Sequence, residues 1–300
     1  PAPPAPAAAI TGPRTPEPMT DESTSPLTLF HLLRPLGRGA MGEVWLAEHR
    51  EQKARVAIKL LNLERAKDAG AAEALFTEVR AQTRLAHPNI VSVLDSGTVD
   101  RAASAASGNR FQDGSPFLVM EFVPGNPLQT AVGRLPWAEA KAVLLQLLDA
   151  LAHSHARGIV HRDLKPGNVL LRQPSLDDAP GTGLAPKITD FGVAQALHRG
   201  GSGESAEIVG TPSYMAPEQL TARWRDQGPW TDLYSLGCLA WSLVTGAPPF
   251  GRGRSFTDNR TAHLHQTPPA LEPTVPVPSG LDPWLRRLLE KRPEDRYLRA

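Results

Sequence analysis

Three polar side chains that could do chemistry lie within six positions of one another in the middle of the chain. Asp163, Lys165 and Asn168 belong to the run 161–171, which reads H-R-D-L-K-P-G-N-V-L-L. A carboxylate can accept a proton, an ammonium group can neutralise a developing anion, and an amide oxygen is a hard ligand for a small cation. Asp, Pro, Gly and Asn are also common in solvated turns, so the run alone does not exclude a surface loop.

The segments on either side predict a rigid frame for this run. Apolar residues recur at three- and four-residue spacing between 138 and 156, the pattern of a helix with one buried face. Gly158 can adopt the left-handed backbone conformation that commonly ends a helix. The V-L-L at 169–171 predicts a short buried strand. A tight loop between a helix end and a strand can hold polar groups at fixed distances.

Composition excludes several other classes of protein. The formal net charge of +1 does not indicate a basic surface for binding nucleic acid or an anionic membrane. No apolar run reaches the roughly 18 residues of a membrane span. The single cysteine, Cys238, excludes an internal disulfide and fits a core position in a reducing compartment.

Residues 1–26 are poor in large apolar side chains and are expected to be disordered. The chain begins with proline and stops soon after a helical pattern, so we expect a fragment of a longer protein.

A glycine-rich run lies near the start of the expected ordered region. Gly37, Gly39 and Gly42 form G-x-G-x-x-G, which by itself is a weak signal. In a dinucleotide-binding fold the third glycine opens a helix, whereas the alternation around Val44 and Leu46 predicts a strand. The glycines are therefore expected in a hairpin turn whose backbone N–H groups can lie over phosphates, and a dinucleotide oxidoreductase is disfavoured.

Three more charged residues have candidate roles. Lys59 ends the predicted strand V-A-I-K, where a lysine is often a snorkelling edge residue unless an acidic partner holds it. Glu78, within the helical pattern of 71–85, is the candidate partner, although an exposed helix charge is commoner. Asp190 follows a predicted strand at 187–189 and begins D-F-G, whose glycine permits a sharp turn. Residues 97–116 are expected to form a long mobile insertion before a strand at 117–120.

Taken in order, these motifs resemble the Hanks-type (eukaryotic-like) serine/threonine protein kinase catalytic domain of bacteria. The resemblance covers about 29–300 and rests on G-R-G-A-M-G-E-V, V-A-I-K, Glu78, H-R-D-L-K-P-G-N, D-F-G and A-P-E. It implies an α+β, two-lobed fold. The N-lobe, 27–120, would hold a five-stranded antiparallel sheet and one main helix, followed by a hinge at 121–125 and a mostly α-helical C-lobe at 126–300.

The same resemblance implies ATP-dependent phosphoryl transfer to serine and threonine hydroxyls of proteins, with autophosphorylation, assisted by Mg²⁺ or by Mn²⁺ in its place. Asp163 would act as the base, Lys165 would neutralise the γ-phosphate, and Thr211 would brace both. Lys59, held by Glu78, would bind the α- and β-phosphates. The implied metal ligands are Asn168 and Asp190.

The nucleotide would lie between the lobes. Adenine would pack against Val44, Ala57 and Leu170, with Met120 as the gatekeeper and the main chains of Glu121 and Val123 as hydrogen-bond partners. The glycine loop would cover the phosphates. Its implied contact residues are Leu36, Gly37, Arg38, Gly39, Ala40 and Gly42.

Other positions carry structural or regulatory expectations. The resemblance implies a Glu218–Arg296 pair and a tie from Asp232 to the backbone around His161. Arg162 before Asp163 is typical of kinases whose activation segment is ordered by phosphorylation, with Ser202 and Ser205 as candidate sites. Gln82 stands where many relatives carry an apolar residue.

The implied partners are protein substrates, with no nucleic acid and no membrane contact from this segment. The resemblance leaves open whether the protein self-associates through the N-lobe. It also leaves open whether the protein is wholly cytoplasmic or the chain is the cytoplasmic domain of a longer, membrane-anchored protein.

Two alternative functions remain. A pseudokinase scaffold usually lacks the lysine or an essential aspartate, and Lys59, Asp163 and Asp190 are all present. A small-molecule phosphotransferase of related fold generally lacks the A-P-E segment and the T-P-S-Y-M loop, which the resemblance implies is a peptide-docking loop; both are present at 211–218.

Overall fold

A five-stranded antiparallel sheet forms the first lobe of the computed structural model, which describes residues 26–39, 42–61, 82–107, 111–172, 183–191, 212–221 and 223–300. The strands pair in the order β1-β2-β3-β5-β4. Their bounds are β1 Phe30–Gly39, β2 Gly42–His49, β3 Arg55–Leu61, β4 Val93–Thr98 and β5 Pro116–Glu121. The predicted N-lobe sheet is therefore confirmed. The three glycines lie in the ends of β1 and β2 rather than in a turn, and Gly39 pairs with Gly42.

Alternation along β3 and β5 gives this sheet two apolar faces. Ile58 and Phe117 pack on one face with Trp45, while Ala57 and Leu118 pack on the other with Met120 and Val123. Successive side chains of a strand point to opposite faces, so a nearly continuous apolar run is buried on both sides. The second face is the one that meets the C-lobe.

The insertion between β4 and β5 is not the unbroken loop that its composition suggested. A helix, α1 Arg101–Ala106, begins after Asp100, whose carboxylate accepts the Ala103 N–H at 2.6 Å. Phe111 then contacts Trp45 edge-on, with 5.9 Å between ring centroids. Capping and burial against this tryptophan stabilise a segment whose small residues looked like linker.

The C-lobe is built around one helix that is buried on nearly every side. This helix, α4 Pro229–Thr245, has Cys238 fully buried within it, as predicted. Burial raises the pKa of the Cys238 thiol, so it is not a ready nucleophile. The other helices are α2 Trp137–His155, α3 Pro217–Leu220, α5 Phe256–His265 and α6 Leu281–Leu288.

A second, three-stranded sheet joins the two lobes. It pairs β6 Gly125–Pro127, β7 Val169–Arg172 and β8 Ala185–Ile188. Strand β4 begins at Val93, and Ile90, three residues earlier, forms a parallel bridge to Ile188. The Val91 N–H donates to the Ile188 carbonyl at 2.8 Å. The backbone that delivers Asp190 is thus fastened to the N-lobe.

Several predictions concern positions outside the described residues: the segment 1–25, the main N-lobe helix with Glu78, Ala40 of the glycine loop, Ser202, Ser205 and Thr211. Pro26, the last residue of the predicted disordered segment, begins a short 3-10 helix, Pro26–Leu29. No helix within the described ranges combines the length and the apolar character that a membrane crossing requires.

Candidate active site

Three of the predicted catalytic side chains meet directly at the loop 161–168. The Lys165 ammonium lies 2.7 Å from one carboxylate oxygen of Asp163 and 3.0 Å from the other. The Asn168 amide donates to the Asp163 carboxylate at 2.9 Å and to its carbonyl at 2.8 Å. Asp163 is therefore a largely buried carboxylate held in one orientation by two donors.

His161 holds this loop against the segment that carries Asp190. Its Nδ1 accepts the Asp163 N–H at 3.1 Å, so its Nε2 carries the proton and donates to the Thr189 carbonyl at 2.9 Å. The imidazole also packs on Phe191, with 4.6 Å between ring centroids. One neutral histidine thus fixes the two loops relative to each other.

Asp232, in the first turn of α4, holds the loop 161–168 through hydrogen bonds to its main chain. Its carboxylate accepts the main-chain N–H groups of His161 and Arg162, each at 2.8 Å, and lies 2.8 Å from His155 Nε2. Burial alone would raise the pKa of Asp232, but the hydrogen bond and charge of His155 bring it below its usual value. Arg162 has a left-handed φ of 65°, and its carbonyl accepts from Gln219 at 2.7 Å. The strained residue is held on both sides.

The buried Lys59 and the partly buried Asp190 form an ion pair between the lobes. The ammonium nitrogen lies 2.7 Å from the Asp190 carboxylate, and Lys59 is 4% exposed. Although burial alone would raise the pKa of Asp190, the charge and hydrogen bond of Lys59 lower it below its usual value. Asp190 is ionised at neutral pH, as a metal ligand must be. Its φ of 66° is unusual for a residue other than glycine.

Gln82, which precedes β4 in the N-lobe, is hydrogen-bonded to the same segment. Its side-chain amide donates to the Phe191 carbonyl, and both residues are buried. The polar residue that departs from the expected apolar pattern therefore has a partner of its own. It satisfies a buried carbonyl that an apolar side chain would leave without this donor.

A cavity of about 470 Å³ lies between the lobes above this cluster. Predicted residues that line it are Leu36, Gly37, Val44, Ala57, Met120, Glu121, Val123, Leu170 and Asp190. Within the described part of the chain, no hydrogen bond engages the main chain of Val123. The Glu121 N–H already donates to the Ser92 carbonyl at 3.0 Å, so a ligand would meet Glu121 through its carbonyl oxygen. The wall is apolar, with a few fixed polar groups.

Other predicted nucleotide contacts do not line the cavity. Lys59, Gly39 and Gly42 lie outside its wall, and Arg38 is an exposed residue 3.1 Å from Glu43. Gly42 is required by packing: its φ is 139°, and a Cβ there would come within 1.8 Å of the Leu60 carbonyl oxygen.

An ion pair that the sequence argument missed ties the hinge to β8. The Lys187 ammonium lies 2.7 Å from a Glu121 carboxylate oxygen, which also accepts the Ser92 N–H at 2.8 Å. The available signal was a lysine in a short apolar strand, three residues before Asp190. This pair connects the wall of the cavity to the strand that leads to Asp190.

The oxygen ligands below the cavity suit a metal ion that is shared with a phosphate substrate. In the parts of the chain described here, no group of three His, Cys, Asp or Glu side chains is arranged to hold a metal alone. Mg²⁺ is usually bound by one or two carboxylates together with substrate phosphates and water. Asp190 and Asn168 supply such a partial set of hard oxygen ligands.

Curated relatives of this chain are bacterial serine/threonine-protein kinases. Among curated relatives, the chain is 39% identical to the serine/threonine-protein kinase Pkn1 of Myxococcus xanthus over 273 residues, 89% of this chain and 36% of Pkn1. It is 39% identical to PkaA of Streptomyces coelicolor, covering 89% of this chain and 47% of PkaA. For PknA of Mycobacterium tuberculosis the identity is 36%, covering 89% and 58%. The chain thus spans between about a third and three fifths of these relatives' lengths.

A solved structure and a family model give the same assignment. A double mutant of the PknI kinase domain from Mycobacterium tuberculosis matches with a TM-score of 0.62 and 27% identity, covering 92% of this chain and 93% of that one. The model of the protein kinase domain matches residues 30–298. The chain belongs to the protein kinase domain family.

Proposed function

We propose that this kinase domain transfers the γ-phosphoryl group of ATP to serine and threonine hydroxyls of proteins, including its own. The observation that carries the proposal is Asp163, fixed by Lys165 and Asn168 beneath a cavity whose wall includes the ionised Asp190. Phosphoryl transfer depends on positioning and charge neutralisation more than on covalent chemistry. This cluster supplies an acceptor for a proton, a cation and oxygen ligands for a metal.

Each side chain has a defined task in this scheme. Asp163 orients the acceptor hydroxyl and takes its proton, and Lys165 neutralises charge on the transferred group. Lys59 binds phosphate oxygens at the inner end of the cleft. Asn168 and Asp190 would hold Mg²⁺, which neutralises phosphate charge when bound. The free main chain of Val123 would hydrogen-bond the adenine edge.

Incubation of the purified chain with γ-labelled ATP and Mg²⁺ or Mn²⁺ tests the proposal. We expect label on the protein itself and on a generic basic protein, recovered as phosphoserine or phosphothreonine. The control is the same incubation without Mg²⁺ and Mn²⁺. Absence of transfer under every metal condition would refute phosphoryl transfer, whereas label found only on tyrosine would refute the acceptor class.

Lys59→Met is expected to lower kcat/KM for ATP by about 10²–10³-fold, because a preorganised cation in a dry site is lost. The change also leaves the partly buried Asp190 without its ion-pair partner, so the pKa of Asp190 should rise. The measurement is initial rate against ATP concentration. Lys53→Met is the matched control, since Lys53 is exposed and 3.8 Å from its carboxylate partner. Equal losses in the two variants would contradict the role given to Lys59.

Gln82→Ala is expected to raise the Mg²⁺ concentration that gives the half-maximal rate by about three- to tenfold. This change corresponds to the net free energy of about one hydrogen bond. The amide no longer holds the Phe191 carbonyl, so the neighbouring Asp190 is less well oriented for the metal. A Mg²⁺ titration at saturating ATP measures the shift. Gln266→Ala, at an exposed position, is the control. If the titration midpoint of Gln82→Ala matches that of the unaltered protein, Gln82 does not position this segment.

A further inference from the structure

A second cavity, of about 780 Å³, opens in the C-lobe and has no part in the chemistry above. Its walls come from residues within 217–221 and 223–226, from Trp230, from the end of α5 at Leu264 and His265, and from the turn 291–294. It is larger than the cavity between the lobes, at about 470 Å³. The walls are rich in basic side chains.

The charges on these walls do not balance. Glu218 is fully engaged by Arg296, at 2.9 and 3.0 Å, and Glu294 pairs with Arg292 at 2.7 Å. Arg223 and Arg225 line the same cavity, are exposed, and have no carboxylate within ion-pair distance among the described residues. Asp226 is the lining carboxylate that remains to offset them.

Lys291 adds a third positive charge without a carboxylate partner in the described part of the chain. Its ammonium group lies 3.4 Å from the Ala262 carbonyl and 4.8 Å from the centroid of the Phe250 ring. Burial lowers the pKa of Lys291 to about 8, and the charge of Arg296 acts in the same direction. A partly buried ammonium group between a carbonyl and a ring is stabilised by an incoming anion.

The cavity adjoins the segment expected to receive protein substrates. The 3-10 helix Pro212–Tyr214 leads through Met215 and Ala216 into Pro217, the first residue of the cavity wall. The T-P-S-Y-M run at 211–215 is the one whose resemblance implies peptide docking. A protein held there would place a neighbouring part of its chain at the basic cavity.

We propose that this cavity binds a phosphorylated serine or threonine side chain of a protein substrate that already carries phosphate at another position. The proposal rests on the protein-phosphorylating function above. Guanidinium groups match phosphate geometry with paired N–H donors, which favours phosphate over a single carboxylate. The ligand is the product of the proposed reaction, so a protein phosphorylated once is retained for a second transfer.

The test is binding of a fluorescently labelled phosphoserine peptide to the full 300-residue chain, followed by anisotropy. We expect the phosphopeptide to bind at least about tenfold more tightly than its serine and glutamate counterparts, with inorganic phosphate competing. Arg223→Ala/Arg225→Ala should remove this preference. Arg134→Ala is the control, since Arg134 is exposed and does not line the cavity. Transfer to a short unphosphorylated peptide should stay within about twofold in all these variants.

Three results would overturn the proposal: equal affinity for the phosphoserine and serine peptides, equal affinity for the phosphoserine and glutamate peptides, or full phosphopeptide affinity in Arg223→Ala/Arg225→Ala. The binding assay requires no phosphoryl transfer. A protein that binds the phosphopeptide but transfers no phosphate would therefore refute the proposed function separately.

Discussion

Asp163→Asn is expected to lower kcat for phosphoryl transfer by about 10²–10⁴-fold, with little change in KM for ATP. The amide cannot accept the proton of the substrate hydroxyl, whereas the cavity that would hold the nucleotide does not include this side chain. Both donors to the carboxylate, Lys165 and Asn168, remain in place. Only the amide oxygen can still accept hydrogen bonds from these donors. We therefore expect the variant to lose about one hydrogen bond, which lowers the free energy of unfolding by about 1 kcal/mol.

Single-turnover transfer with preformed protein–ATP complex measures this effect, and thermal melting of the free protein measures the accompanying loss of stability. Asp113→Asn, at an exposed aspartate, is the matched control. A variant that keeps more than about a tenth of the single-turnover rate would show that Asp163 is not the base. A melting temperature lowered by more than about 10 °C would show that the carboxylate has a structural role as well.

The parts of the site that sequence predicts well are those whose chemistry requires residues at fixed spacing. Asp163, Lys165 and Asn168 meet because a short 3-10 helix, Pro166–Asn168, brings Asn168 back to the aspartate. The spacing within one loop therefore determines their contacts. The strand carrying Lys59 was equally evident, because residues 56–61 of β3 are apolar apart from Lys59.

Contacts between distant segments were harder to predict. Lys187 and Glu121 are 66 positions apart, and neither has a distinctive local pattern. Gln82 stands where many relatives carry an apolar residue, and its partner is a main-chain carbonyl, which no sequence pattern reveals. The helix α1 was read as linker because its small residues give no apolar pattern, whereas Ala103 and Phe111 join the apolar cluster that contains Trp45, on a different strand. In each case the contact joins segments that are distant in the chain, and local composition does not determine such contacts.

Arg296→Met is expected to cause the largest loss of stability, about 3–5 kcal/mol, because it leaves Glu218 buried without a counter-charge. The guanidinium also donates to the carbonyls of Glu290 at 2.7 Å and Lys291 at 2.9 Å. One side chain therefore joins the A-P-E segment to the turn after α6. For a chain of this size, the loss corresponds to a fall of roughly 10 °C in Tm.

A double-mutant cycle separates the ion pair from the loss of arginine packing. Glu218→Gln/Arg296→Met should recover part of the loss, because the neutral amide is less costly to bury than an unpaired carboxylate. Arg299→Met, at an exposed position near the same end of the chain, should leave Tm within about 2 °C. If Arg296→Met melts at the same temperature as Arg299→Met, the pair does not stabilise the C-lobe. If the double variant is no more stable than Arg296→Met, the penalty comes from the lost carbonyl contacts and not from the charge of Glu218.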